Sequence, residues 1–134
     1  MIRSVFFLLL AVGAAAGHPS KPPPAVSSAT FNATFSDHAV LQAMGTTQQK
    51  SAVYGMAPAG ATLSITVASA ADASYSVAAT ASAKGAWKAF LHPTADGGDF
   101  TITAHCSSCA SNATNAVLRH VTFGDVWYCS GQSK

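Results

Sequence analysis

An all-β sandwich of jelly-roll or immunoglobulin-like type is the fold the sequence predicts, and three observations carry it. Apolar and polar residues alternate in several short runs, the period that turns one face of a strand to a core and the other to water. Proline and glycine recur between those runs as turn signals. Both tryptophans, Trp87 and Trp127, lie inside strand-like runs, which separates a chain rich in Ala, Ser, Thr and Gly from a disordered low-complexity polymer.

Taken in order, residues 1–17 hold Arg3, an apolar run from Val5 to Val12, and small residues at Ala14 and Ala16. This is the layout of a secretory signal peptide, with cleavage expected after Ala16 or Gly17. The run is well short of the roughly 20 apolar residues that a membrane span needs, so no stable span is expected. Residues 18–29 form a Pro-rich leader: Lys21 is followed by three prolines, which cannot join a hydrogen-bonded ladder.

The sandwich is expected over residues 30–121. Thr62 to Val67 alternate cleanly and put Leu63, Ile65 and Val67 on one face. Phe100, Ile102 and Ala104 do the same. Pro58 to Gly60 and Asp96 to Gly98 supply turns, because proline fixes φ and glycine accepts positive φ. Ala68 to Ala83 has helical propensity from its alanines. Interspersed Ser, Thr and Val, the alternation of Tyr75 and Val77, and strand-like neighbours on both sides favour strand instead, in the part of the core poorest in large apolar side chains.

Residues 122–134 read differently. Val126, Trp127, Tyr128 and Cys129 form an apolar, β-prone run of the kind that fills a buried strand. Ser130, Gly131, Gln132 and Ser133 follow as small polar residues able to turn sharply. A serine where a buried strand breaks into a turn presents its hydroxyl at the end of a sheet, where ligands of open α/β folds bind.

This segment, FGDVWYCSGQS, resembles the first block of the SGNH hydrolases, and in particular the GDVWLCSGQSN signature of the sialate O-acetylesterase family. Upstream, FSDHAVLQ at Phe35 to Gln42 resembles FSDHMVLQ, and VYGMAPAGATLSITV at Val53 to Val67 resembles VWG-x-A-x-PGA followed by a strand. GAWKAFLHP at Gly85 to Pro93 resembles G-x-W-x-x-x-L-x-P, and GGDF at Gly97 to Phe100 resembles GGPY or GGPF. The ordered set covers nearly all of the chain after the expected signal.

The resemblance implies the N-terminal part of a secreted serine esterase acting on O-acetylated sugars such as sialic acid, in the extracellular space or the lumen of a lysosome-like compartment. It implies Ser133 as nucleophile and no metal or organic cofactor. It places the base, the orienting acid and the remaining oxyanion donors in later blocks, so that residues 122–134 would open a truncated α/β domain and this chain alone would be inactive. Lys134 stands where the family has asparagine. Read-through from a split asparagine codon into an intron beginning GTGA would encode that lysine and a stop, so spliced transcripts are expected to continue.

Composition excludes one partner class. The chain carries 7 Lys and Arg against 5 acidic residues, all Asp, and no run of basic residues exists to hold a phosphate backbone, so nucleic acid is not expected as a partner. Cys106 and Cys109 form a CSSC read as a local disulfide closing a turn, with a redox pair and a zinc half-site with His105 as the other readings. Cys129 is then odd; the resemblance makes it a buried strand residue beside the nucleophile. Asn32 and Asn112 head Asn-Ala-Thr sequons for N-glycosylation. Asp37 and His38 are adjacent, so on a strand they face opposite ways and form no relay; they are read as structural, as are His92, His105 and His120. The competing function is a non-catalytic sandwich that binds carbohydrate or a protein partner, with Trp87, Phe90, Tyr54 and Tyr75 stacking on sugar rings if exposed.

Overall fold

Two sheets enclose one apolar core in the computed structural model, which describes residues 27–45 and 49–127 together with Cys129 and Gly131. The expected signal peptide, most of the leader, and Ser133 lie outside the described residues. Among the described residues every regular element is a strand. The smaller sheet has β1 (Thr30–Phe31) beside β3 (Ala52–Met56), which pairs with β6 (Ala86–Phe90). The larger sheet runs β2 (Val40–Gln42), β8 (Ala116–Gly124), β7 (Gly97–Cys106), β4 (Thr62–Ser69) and β5 (Tyr75–Thr80). All pairings are antiparallel except β2 with β8. The all-β sandwich that the sequence predicts is the fold observed.

Alternation builds the core. Leu63, Ile65 and Val67 of β4 stand beside Ile102 and Ala104 of β7, with Ile65 opposite Ala104 and Val67 opposite Ile102, all fully buried. Each such Leu, Ile or Val contributes roughly 1.5–3 kcal/mol when taken from water. From the small sheet come Val53, Trp87 and Ala89, and from the chain just after it Leu91. The Phe31 ring meets Trp87 edge-on, 5.6 Å between centroids. The Ala-rich middle forms the end of β4 and all of β5, joined by the exposed turn 70–74. Its strands are specified by pairing, Ile65 opposite Val77 and Val67 opposite Tyr75, which overrides the helical propensity of alanine.

Two glycines are required by close approach. A Cβ at Gly55 would collide with the Thr30 carbonyl of β1, so only glycine lets β1 lie against β3 there. At Gly85, with φ of +83°, a Cβ would come within 2.5 Å of the Ala57 carbonyl, whose own amide donates to Gly85 O. That contact ties the turn before β6 to the Pro58–Gly60 turn.

β8 contains a bulge. Ile102 pairs with Leu118 and Phe100 with Val121, so Thr101 of β7 faces two residues of β8, Arg119 and His120. His120 takes φ of 55° to absorb the extra residue. Beyond it the alternation resumes, and Val121 and Phe123 enter the core. β8 therefore runs through Gly124, three residues past the sandwich boundary expected at Val121.

Candidate functional site at the exit of β8

The segment that leads to the predicted nucleophile leaves the larger sheet at Gly124. Phe35 to Gln42 is laid along it. Asp37 Oδ1 accepts the Arg119 backbone N–H at 2.7 Å, and the His38 N–H donates to Arg119 O at 2.9 Å, so Asp37 and His38 hold the bulge rather than forming a relay. His38 adopts φ of 64° and stacks its ring on His120, with centroids 5.0 Å apart. His120 Nδ1 lies 3.2 Å from Asp99 Oδ2 at the surface. β2 then pairs with β8 residue by residue until Gln42 meets Gly124.

Past Gly124 the backbone ladder is replaced by one side chain. Gln42 Oε1 accepts the Val126 N–H at 3.1 Å, while the Ala43 N–H donates to Gly124 O at 2.8 Å. Gln42 is itself fixed from behind: its carbonyl accepts the hydroxyl of Ser51, a buried polar residue whose own carbonyl accepts the Leu91 N–H. Two clefts flank this exit. One of about 480 Å³ is lined by Met44, Asp96, Gly97, Phe123 and Asp125, and one of about 270 Å³ by Gln42, Gln49, Asp125, Val126 and Trp127. No imidazole lines either cleft among the described residues.

Val126 and Trp127 belong to a run suited to a buried strand in a complete sheet, and here they stand as the exposed tail expected of such a strand without its sheet. They are 52% and 83% exposed, with no ladder partner, and Cys129 is an exposed free thiol. The reason is the length of the neighbours. β2 ends at Gln42 opposite Gly124, and β7 begins at Gly97 opposite Phe123, so neither neighbour reaches past Gly124.

No protein-family model matches the chain. The sialate O-acetylesterase of Rattus norvegicus is 34% identical over 82 residues, which is 60% of this chain and 15% of the rat protein. The crystal structure of a carbohydrate acetylesterase from Xanthomonas citri superposes with a TM-score of 0.56 at 26% identity, over 74% of this chain and 20% of that one. Over this stretch the chain is similar to a sialate O-acetylesterase in sequence and to a carbohydrate acetylesterase in fold. It spans only 15% and 20% of the length of these relatives.

Two of the sequence landmarks meet at this exit. FSDHAVLQ is the turn and strand beside β8 and GGDF opens β7 opposite Phe123, both at the exit, whereas the β3–β4 and β6 landmarks build the turn pair at Ala57 and Gly85 at the opposite end of the sandwich. Ser133 lies outside the described residues. Cys106 and Cys109 form a disulfide at the far end of β7, roughly 30 Å of strand away from the exit. There the Ser107 N–H donates to Thr62 O, and Ser108 Oγ accepts the Thr62 N–H, closing the turn onto β4. His105, exposed, bonds Asn115 Oδ1 through Nδ1 at 2.8 Å. His92 stacks on Tyr75 at 4.1 Å, and burial raises the Tyr75 pKa, an effect partly offset by Thr94 and the His92 backbone. Asn32 and Asn112 are both exposed, in turns after β1 and before β8.

Gln42 and Ser51 are the positioning residues that sequence reasoning missed. Gln42 ends the FSDHAVLQ landmark, which was a signal for its neighbourhood but not for its role. The bulge also had a signal: the inward residues of β8 are spaced three apart from Leu118 to Val121 and two apart from Val121 to Phe123.

Proposed function

We propose that this chain supplies the β-sandwich and the nucleophile-bearing segment of a secreted or lumenal serine esterase that removes acetyl groups from sugars, sialic acid among them. The observation that carries the reading is the meeting of the FSDHAVLQ and GGDF motifs at one strand exit, with Asp37 fixing the bulge of β8 and Gln42 holding Val126 seven residues before Ser133. In this chemistry the Ser133 hydroxyl attacks the acetyl carbonyl, backbone and side-chain donors hold the oxyanion, and a histidine takes the serine proton and later passes it to the departing sugar oxygen. The relatives are named for acetyl esters of sialate and of carbohydrate, and this supports the substrate class. The residue types of positions 1–17 support entry into the secretory route.

Among the described residues no imidazole lines the clefts at the exit, and the 134 residues by themselves are proposed to hydrolyse no ester. A fluorophosphonate probe applied to the protein isolated from its natural source tests the whole reading. Labelling is expected at Ser133, within a polypeptide longer than 134 residues, and substitution of Ser133 by alanine in that polypeptide should lower acetyl release by about 10³-fold or more. Absence of label at Ser133 in any polypeptide containing this segment refutes it. For the binding-module alternative, Trp87 is buried at 3% exposure, while Phe90 and Tyr54 remain exposed. Retention of the folded chain on a glycan array would favour that alternative.

A further inference from the structure

Asn32 follows β1 directly, and its backbone N–H donates to Tyr54 O at 2.9 Å. Since Phe31 pairs with Gly55, Asn32 stands opposite Tyr54, and directly opposed residues of an antiparallel pair project from the same face about 5 Å apart. That face is the outer one of the small sheet, where Tyr54 and Met56 are exposed. The side chain is locally pre-arranged: Asn32 Oδ1 accepts the Thr34 N–H at 3.0 Å, and the Phe35 N–H donates to Asn32 O at 2.9 Å. Both bonds span only two or three residues, so they can form before the long-range sheet does. Among the described residues Nδ2 carries no hydrogen bond. The third residue of the sequon is also placed, with Thr34 Oγ1 3.3 Å from the Tyr54 hydroxyl. Asn112 sits in the turn between Cys109 and β8, outside any strand pairing.

From this geometry we infer that Asn32 is N-glycosylated and that the first sugar of the glycan lies on the Tyr54 ring. The inference rests on entry of the chain into the secretory route. In the transfer, Asn32 Nδ2 attacks C1 of an oligosaccharide carried on a lipid pyrophosphate. The N–C1 bond forms, the C1–O bond to the pyrophosphate breaks, the lipid pyrophosphate leaves, and one amide proton passes to the transferase's base. The apolar C–H face of the attached pyranose then covers the exposed ring across the strand pair, a contact in which an aromatic side chain contributes area at little entropic cost.

One peptide reads both requirements. Trypsin does not cut Lys21 before Pro22, so a processed chain gives a peptide from its new N-terminus to Lys50 that contains Asn32. Mass spectrometry of that peptide, from chain expressed in eukaryotic cells and treated with peptide N-glycosidase in heavy-oxygen water, is expected to show a start at Gly17 or His18 and labelled Asp in place of Asn32. A processed start with unlabelled Asn32 overturns this inference and leaves secretion standing; a peptide starting at Ser4, the tryptic product of an unprocessed chain cut after Arg3, overturns both. The Tyr54 contact is read by thermal unfolding before and after glycan removal. A fall of a few degrees is expected for the natural chain and for Tyr54→Phe, and no fall for Tyr54→Leu. An equal fall in all three removes the sugar from Tyr54.

Discussion

Gln42 carries three hydrogen bonds at one point of the chain: Oε1 accepts the Val126 N–H, Nε2 donates to Ala43 O, and its backbone carbonyl accepts the Ser51 hydroxyl. The first of these alone reaches the segment beyond β8. In Gln42→Ala the Val126 amide loses its acceptor, but Val126 is half exposed and water replaces the bond, so the expected cost in global stability is at most about 1 kcal/mol. Amide exchange at Val126 should nevertheless accelerate selectively, with Val121 and Phe123 unchanged. Uniform acceleration along β8 would mean that Gln42 supports the strand rather than the exit. Tyr75 gives a second prediction at this scale. Its folded pKa is raised above the ordinary value of 10.0, mainly by burial, so folding disfavours the phenolate. The stabilisation is full below pH 10 and is lost as pH rises through the folded value. Denaturant midpoints measured upward from pH 9 should fall less steeply in Tyr75→Phe than in the natural chain; identical slopes would refute the assignment.

At the scale of elements, the disulfide closes a loop of only two intervening residues, and loop-closure arithmetic for so short a span gives about 2 kcal/mol. Reduction or paired Cys106→Ser and Cys109→Ser replacement should therefore lower stability by about that much without unfolding the sandwich, because Thr62 still bonds Ser107 and Ser108 across the same turn. A collapse of the near-ultraviolet circular dichroism on reduction would count against this. Strands such as β4 and the middle of β7 were legible because one face is core and the other water, so burial writes itself into alternation. β1 and β2, of two and three residues, are too short to write a period; their places come from partners, Gly55 for β1 and the parallel run of β8 for β2. The bulge left one signal, the spacing of three from Leu118 to Val121, but Arg119 and His120 are polar neighbours that fix it as a bulge only once the pairing partner is known. At the candidate site the motif order was legible, and so was the exposure of a run like Val126 and Trp127 that lacks its sheet, whereas the points at which β2 and β7 stop were not.

The two tryptophans report opposite ends of the molecule's organisation. Trp87 is sealed under Phe31 in the shared core, and Trp127 stands on the segment that β2 and β7 no longer support. An exposed aromatic beside an exposed Val126 is the kind of apolar surface that marks an interaction site in a soluble protein. Iodide, a charged quencher that enters no core, separates the two. In the folded chain a red-shifted component of the emission should be quenched freely and a blue-shifted component hardly at all. Trp127→Phe should remove the quenchable component and leave stability within about 0.5 kcal/mol, as for surface substitutions away from special features. Because the relatives are five or more times longer than the stretch they share with this chain, the esterase reading adds a second expectation. In the longer polypeptide proposed above, Trp127 should be protected from iodide, since the nucleophile segment must then be held by the rest of the enzyme for Ser133 to meet a histidine. Protection of Trp127 in the 134-residue chain itself would instead place the segment back against the sandwich, and the exit of β8 would then be a closed end rather than the start of an active site.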